Sequence, residues 1–180
     1  MGLFGKDARE ILVSQMVLIS IGIVTGTILA ISTDKILLVP GMLILLPGFL
    51  EMRGNISGTF ASRLSSGLFL GIVKPDKYGT RIVKGNLIAS FLLVLAVTLI
   101  LGVIAFLITL FMFGIFSLRI IAIPLVAGLI ANAIEIPLTL FMTFYFFRKG
   151  HDPNNIIGPF VSTSGDITSI VSMLIALVII

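Results

Sequence analysis

Long apolar runs separated by short polar junctions leave this chain no way to bury itself in water. Stretches on the order of 20 apolar residues have the length of a membrane-crossing helix, and they recur from end to end. Hydrophobic residues make up 58% of the 180 and charged residues 11%, against about 25% charged in an ordinary soluble domain. The mean hydropathy is +1.23. We therefore expect an all-α integral membrane protein embedded in the lipid bilayer. It should form one transmembrane domain over residues 1–180, with no room for a separate soluble domain.

Five helical elements are predicted. The first, Ile11–Ile31, is closed by the polar turn Ser32-Thr33-Asp34-Lys35, and the second runs from Ile36 to Gly71. The others are Leu87 to Gly114, Ile120 to Phe147 and Ile156 to Ile180. The first run is longer than the apolar core of a cleavable signal, so it is expected to be retained. Lys6 stands where a myristoylation motif needs Ser or Thr.

Charge placement predicts the orientation. With the N-terminus cytoplasmic, the inner junctions hold Lys6, Arg9, Lys74, Lys77, Arg81, Lys84, Arg148 and Lys149. The outer turns hold only Lys35 and Arg119. That asymmetry predicts a multi-pass cell-membrane protein with its N-terminus inside and its C-terminus outside. It also accounts for the net charge of +4 without a basic face or interleaved aromatics, so no nucleic-acid partner is expected. Cysteine is absent, and the one histidine, His151, lies in a polar turn. Thiolate sites and a histidine zinc cage within one subunit are thereby excluded.

The second element is anomalous. About 36 residues at 1.5 Å each would reach about 54 Å, well beyond a hydrocarbon core of about 30 Å, so a broken or extended helix is expected. Its middle reads Pro47-Gly48-Phe49-Leu50-Glu51-Met52-Arg53-Gly54-Asn55-Ile56-Ser57-Gly58. Proline removes a helical N–H, the glycines loosen the backbone, and two charges and an amide follow. At membrane depth such a segment is tolerated only against protein or a wet cavity, so it should face the interior.

Asp166 is the leading candidate for chemistry, because a carboxylate inside a membrane helix costs roughly 2.5–3.5 kcal/mol on insertion scales. Gly158-Pro159 and Gly165 precede it, Ser162, Thr163, Ser164 and Thr168 surround it, and Ser162 and Ser169 share its helical face. Carboxylate with hydroxyl and carbonyl oxygens suits a hard dication such as Mg²⁺, Ca²⁺ or Mn²⁺. The competing reading is an ion pair with Arg53 or Arg63. Asn55, with Gly54, Ser57 and Gly58 around it, offers neutral oxygen to a cation or its hydration water. Its alternative is a packing asparagine in a Gly54-xxx-Gly58 helix contact. Glu51, Arg53, Arg63, Asn132 and Glu135 are expected mainly as paired charges and polar groups. Arg53 is expected to pair with Glu135, and Glu135 is the member placed nearest a cavity lining. Gly22-xxx-Gly26 and Gly67-xxx-Gly71 read as helix-packing contacts. HExxH, GxSxG and P-loop patterns are missing, and no enzyme is expected.

Together PGFLEMRGN, the following SGTFASRLSSG, and GHDPNNIIGPFVSTSGDITS resemble the second-helix and fifth-helix signatures of MgtE-type magnesium transporters. The form with Glu-Met-Arg-Gly-Asn is similar to the solute-carrier branch and its prokaryotic relatives. The resemblance implies that Asp166 is the metal-binding carboxylate, that Asn55 lines the pore, and that Ser162 contributes a backbone carbonyl beside the ion. It implies a homodimer with the pore at the two-fold axis, built from the second and fifth helices. Bacterial members carry large cytosolic magnesium-sensing domains, which are not expected here, and Glu51 stands where their signature has glycine. The expected function is channel-like divalent cation transport, most simply of Mg²⁺. Exchange against Na⁺ or H⁺ through Glu51 or Glu135, and a non-transporting cation-binding subunit, are the alternatives.

Overall fold

Helix propensity carries the first span straight through the polar residues expected to stop it. The computed structural model describes residues 5–180, so the charge counted at Lys6 lies outside the described side chains. Helix α1 covers Lys6–Leu37, and Ser32, Thr33, Asp34 and Lys35 are all inside it. Polar side chains do not break a helix when their groups find local partners. Thr33 Oγ1 donates back to the Leu29 carbonyl at 3.0 Å. The break falls instead at Val39-Pro40-Gly41, where Gly41 takes a φ of 84° that other residues resist.

Helix α2 therefore begins late, at Met42, and ends at Phe69. It is continuous rather than broken. Its 28 residues rise about 42 Å at 1.5 Å each, and Pro47 sits near enough to its start that little of the ladder is lost. Helix α3 covers Arg81–Phe113 and starts before the expected Leu87. Thr80 caps it, accepting the Val83 N–H at 3.3 Å, and Gly114 at φ 66° ends it. Helix α4 is Arg119–Arg148 and helix α5 is Pro153–Ile179. The Asp152 carboxylate caps α5 by accepting the Asn154 N–H at 2.8 Å.

Four of the five helices are long and apolar enough to cross a membrane: Ala8–Leu37, Arg81–Phe113, Arg119–Arg148 and Pro153–Ile179. Many of their leucines, isoleucines and phenylalanines face outward, as in a multi-pass membrane protein. Helix α2 is the central element, packed against α3, α4 and α5. One apolar cluster gathers Met42, Leu45, Phe49 and Met52 of α2 with Ile120, Ile123 and Ala127 of α4 and Met173 of α5. A second gathers Phe60, Leu64 and Leu68 of α2 with Val83 of α3 and Ile136 and Phe144 of α4. Helix α2 thus runs the height of the bundle, and its polar residues 53–57 lie between the two clusters.

The glycines that let helices approach closely are not the expected ones. A Cβ at Gly22, Gly26, Gly54 or Gly58 would meet nothing within 4 Å, so within this chain none of the four is a close helix contact. Gly67 lies against Val73 in the turn that follows α2, and Gly71 has a φ of 70° in the same turn. The close packing is reciprocal between α3 and α4. A Cβ on Gly102 would lie 2.9 Å from the Ile121 Cα, and one on Gly128 would lie 2.6 Å from the Thr98 methyl. We expect Gly102→Val to destabilise the protein by about 1–3 kcal/mol, because a backbone atom must move. Gly26→Val should change little. Thermal unfolding of the two variants in detergent checks the contrast.

Candidate cation-binding site

Glu51 and Asp166 belong to different helices but open onto one groove of about 520 Å³. From α2 come Pro47, Leu50, Glu51, Gly54, Asn55 and Gly58, and from α5 come Gly158, Ser162 and Asp166. The spacing explains the convergence. Positions 47, 51, 54, 55 and 58 follow one stripe of α2, and 158, 162 and 166 follow one stripe of α5. The bare faces of Gly54 and Gly58 keep the groove open where a side chain would fill it.

Asn55 donates its Nδ2–H to Glu51 Oε1 at 3.1 Å, one helical turn away. That bond turns the amide so that its carbonyl oxygen is left as a neutral hard donor. Asp166 is half-buried and has no ion pair with Arg53 or Arg63. Its charged neighbours within Coulombic reach are the carboxylates Glu51 and Glu135. Glu51 and Asp166, two carboxylates in one groove without an ion pair to a described basic residue, suit a cation better than a structural ion pair.

Behind the groove lies a buried polar layer. Arg53 is fully buried and donates Nη1–H to Asn132 Oδ1 at 3.1 Å. The expected direct pair between Arg53 and Glu135 is not formed. Glu135, also fully buried, accepts Ser164 Oγ–H at 2.8 Å and Thr168 Oγ1–H at 3.2 Å, both from α5. Its carboxylate is drawn to two hydroxyls one turn apart on the helix that carries Asp166, while Arg53 acts on it only through space. Arg53 Nε and Nη2 and Asn132 Nδ2 are buried without partners.

The other candidates lie elsewhere. Ser57 and Ser169 are fully buried with their hydroxyls unpartnered, away from the groove. Thr163 turns towards α1 and donates to the Leu18 carbonyl at 3.4 Å. Asn132 and Glu135 stand in the layer behind the groove and do not line it. Sequence reasoning placed Ser164 and Thr168 only as spare oxygens. Their i, i+4 spacing opposite a buried glutamate was the signal for their actual bonds.

A helical bundle with outward-facing apolar helices around an acidic groove has the build of a multi-pass membrane protein. The sequence model of the MgtE family, described as a divalent cation transporter, matches residues 46–176, and the chain belongs to that family. It is a family of transporters rather than of enzymes. Comparison with curated proteins and with solved structures finds no match.

The buried layer makes its own prediction. Glu135→Gln should remove the negative charge that acts on buried Arg53 through space and disturb the bonds from Ser164 and Thr168, destabilising the protein by about 1–3 kcal/mol, the scale for a buried polar group that loses its compensation. Adding Arg53→Met should recover most of that loss. Unfolding of the single and double variants in micelles measures the coupling, and equal instability of both would mean the two charges do not interact.

Proposed function

We propose that the chain carries Mg²⁺ across the bilayer as a homodimer, through a path at the two-fold axis lined by α2 and α5 of both copies. The observation that carries this reading is the convergence of Glu51, Asn55, Ser162 and Asp166 on one open groove. Among the described residues, no three His, Asp or Glu side chains of one chain come close enough to hold a metal ion. A two-fold axis beside the groove would double its carboxylates and cover its open side.

The chemistry favours a hard dication. Asp166 supplies charge, while Asn55 and the Ser162 backbone carbonyl supply neutral oxygen to the ion or to its water shell. Mg²⁺ gives up water reluctantly, so neutral oxygens that accommodate a hydrated ion let it pass without a deep trap. Helix α2 is the fifth crossing in this reading, shielded from lipid by its neighbours, and the five helices act as one transmembrane domain. The basic junctions put the N-terminus in the cytoplasm and the C-terminus outside. A membrane potential of 100 mV then supplies about 4.6 kcal/mol to each doubly charged ion moving inward.

Exchange against Na⁺ or H⁺ is the second reading. It is favoured by the extra carboxylates Glu51 and Glu135 within Coulombic reach of Asp166. Flux in proteoliposomes that follows a Na⁺ or pH gradient selects it; flux that follows voltage alone selects the channel.

Asp166→Asn tests the site. Asn keeps the volume and one acceptor oxygen but removes the charge on which dication affinity depends. The variant should remain a folded dimer, lose Mg²⁺-dependent thermal stabilisation and lose flux. Unchanged flux would remove Asp166 from the path. For topology, cysteines at the exposed positions Asp34 and Lys77 should label from opposite faces, Asp34 from outside. Labelling of both from one side would defeat the five-span arrangement.

A further inference from the structure

Helix α1 packs along α5 and meets α2 briefly, but it does not pack on α4. The space between α1 and α4 is therefore a groove of about 590 Å³ rather than a seam. Its walls are apolar: Val13, Val17 and Leu18 of α1, Phe146 of α4, and Ile156 and Phe160 of α5. It shares no lining residue with the groove that holds Asp166.

The mouth is built differently. Arg9, Glu10 and His151 lie there, with His151 Nδ1 2.9 Å from Glu10 Oε1. That contact engages the glutamate and clasps α1 to the turn between α4 and α5. A second tie lies one turn deeper, where Ser14 Oγ–H donates to the Asn155 carbonyl at 3.4 Å. Arg9 is exposed and forms no ion pair with a described carboxylate. Two neighbouring basic residues with described side chains are otherwise engaged. Arg148 donates to the Tyr78 hydroxyl and lies over its ring, and Lys149 lies over the Tyr145 ring.

We propose that this groove binds one anionic phospholipid. Its phosphodiester sits at Arg9 beside His151, and one acyl chain runs inward along Val13, Val17, Phe146 and Phe160. A guanidinium at the level of the helix ends matches a lipid phosphate in charge and depth, and an arginine forms charge-assisted bonds to phosphate oxygens. The two ties, one at the mouth and one a turn deeper, hold α1 to the α4–α5 turn and to α5 along one side of the groove. An exposed guanidinium at the mouth above apolar walls calls for an occupant with an anionic head and an apolar tail, which a phospholipid has. The occupant is thus a lipid rather than a helix from a second copy.

Native mass spectrometry of the purified protein, with dioleoyl phosphatidylglycerol or dioleoyl phosphatidylcholine added, tests the site. One phosphatidylglycerol per protomer should be retained, with a preference over phosphatidylcholine of roughly fivefold, the scale of one basic residue at a lipid surface. R9Q, an exposed change that leaves the core untouched, should abolish the preference. V17W should fill the groove and remove retention of both lipids, with the elution volume unchanged as the folding control. Arg119→Gln, at the opposite end of the bundle, should leave the preference intact. An undiminished preference in R9Q would overturn the proposal. So would cross-linking of a cysteine at Val13 to its own copy, because a second chain would then occupy the groove.

Discussion

Arg53 and Glu135 are both withdrawn from solvent at mid-height of a bundle whose two ends are apolar. Left alone, each charge would carry an effective penalty of several kcal/mol. The helices around them are arranged to spread that cost. Asn132 meets the guanidinium from α4, and Ser164 and Thr168 meet the carboxylate from α5. Three helices are thereby held to one another at a single level, and that level sets the depth of the neighbouring groove. The carboxylates that face the groove stand in front of this layer, with Glu135 joining the two.

The scaffold for this arrangement is the pair α3 and α4. Gly102 and Gly128 let their backbones approach, and α3 is the most apolar of the candidate spans, with a mean hydropathy of 3.2. Helix α2 lies against both and carries charge without facing lipid on every side. Its polarity keeps it out of the set of helices apolar enough to span alone, although it traverses the whole bundle. Three neighbouring helices pack around it and cover its polar residues Arg53 and Ser57.

Most of the fold was legible because membrane helices announce themselves by length and hydropathy, and the ends of α4 were placed within a residue or so. The errors share one cause. Hydropathy measures where apolar residues stop, whereas helices stop where capping and φ allow. Thr80 and Asp152 therefore extended α3 and α5 backwards, and Gly41 moved the first turn past Ser32–Lys35. Helical periodicity put Ser162 on the face of α5 that carries Asp166, and both line the groove, whereas the shared stripe of Glu51, Gly54 and Asn55 on α2 was not read from the sequence. It also put Ser169 on the same face of α5, and there the structure differs. The azimuth is right, but α5 is covered by its neighbours at that height, next to Ile170 and Met173. Where a groove closes depends on the paths of neighbouring helices, which no single helix encodes. The partner of Glu135 was misjudged for a related reason, since two hydroxyls lay within direct reach and Arg53 did not.

Pro159 has no N–H, so the Asn155 carbonyl four residues earlier in α5 lacks its helical donor. Ser14 of α1 supplies one instead, at 3.4 Å. The attachment of α1 thus relies mainly on α5, with a brief contact to α2. The composition of α1 suits that loose attachment: its hydropathy is 2.1 and only 11% of its most apolar stretch is buried in the bundle. The least costly opening of this bundle is therefore the release of α1 into lipid, with α2, α3, α4 and α5 still packed on one another.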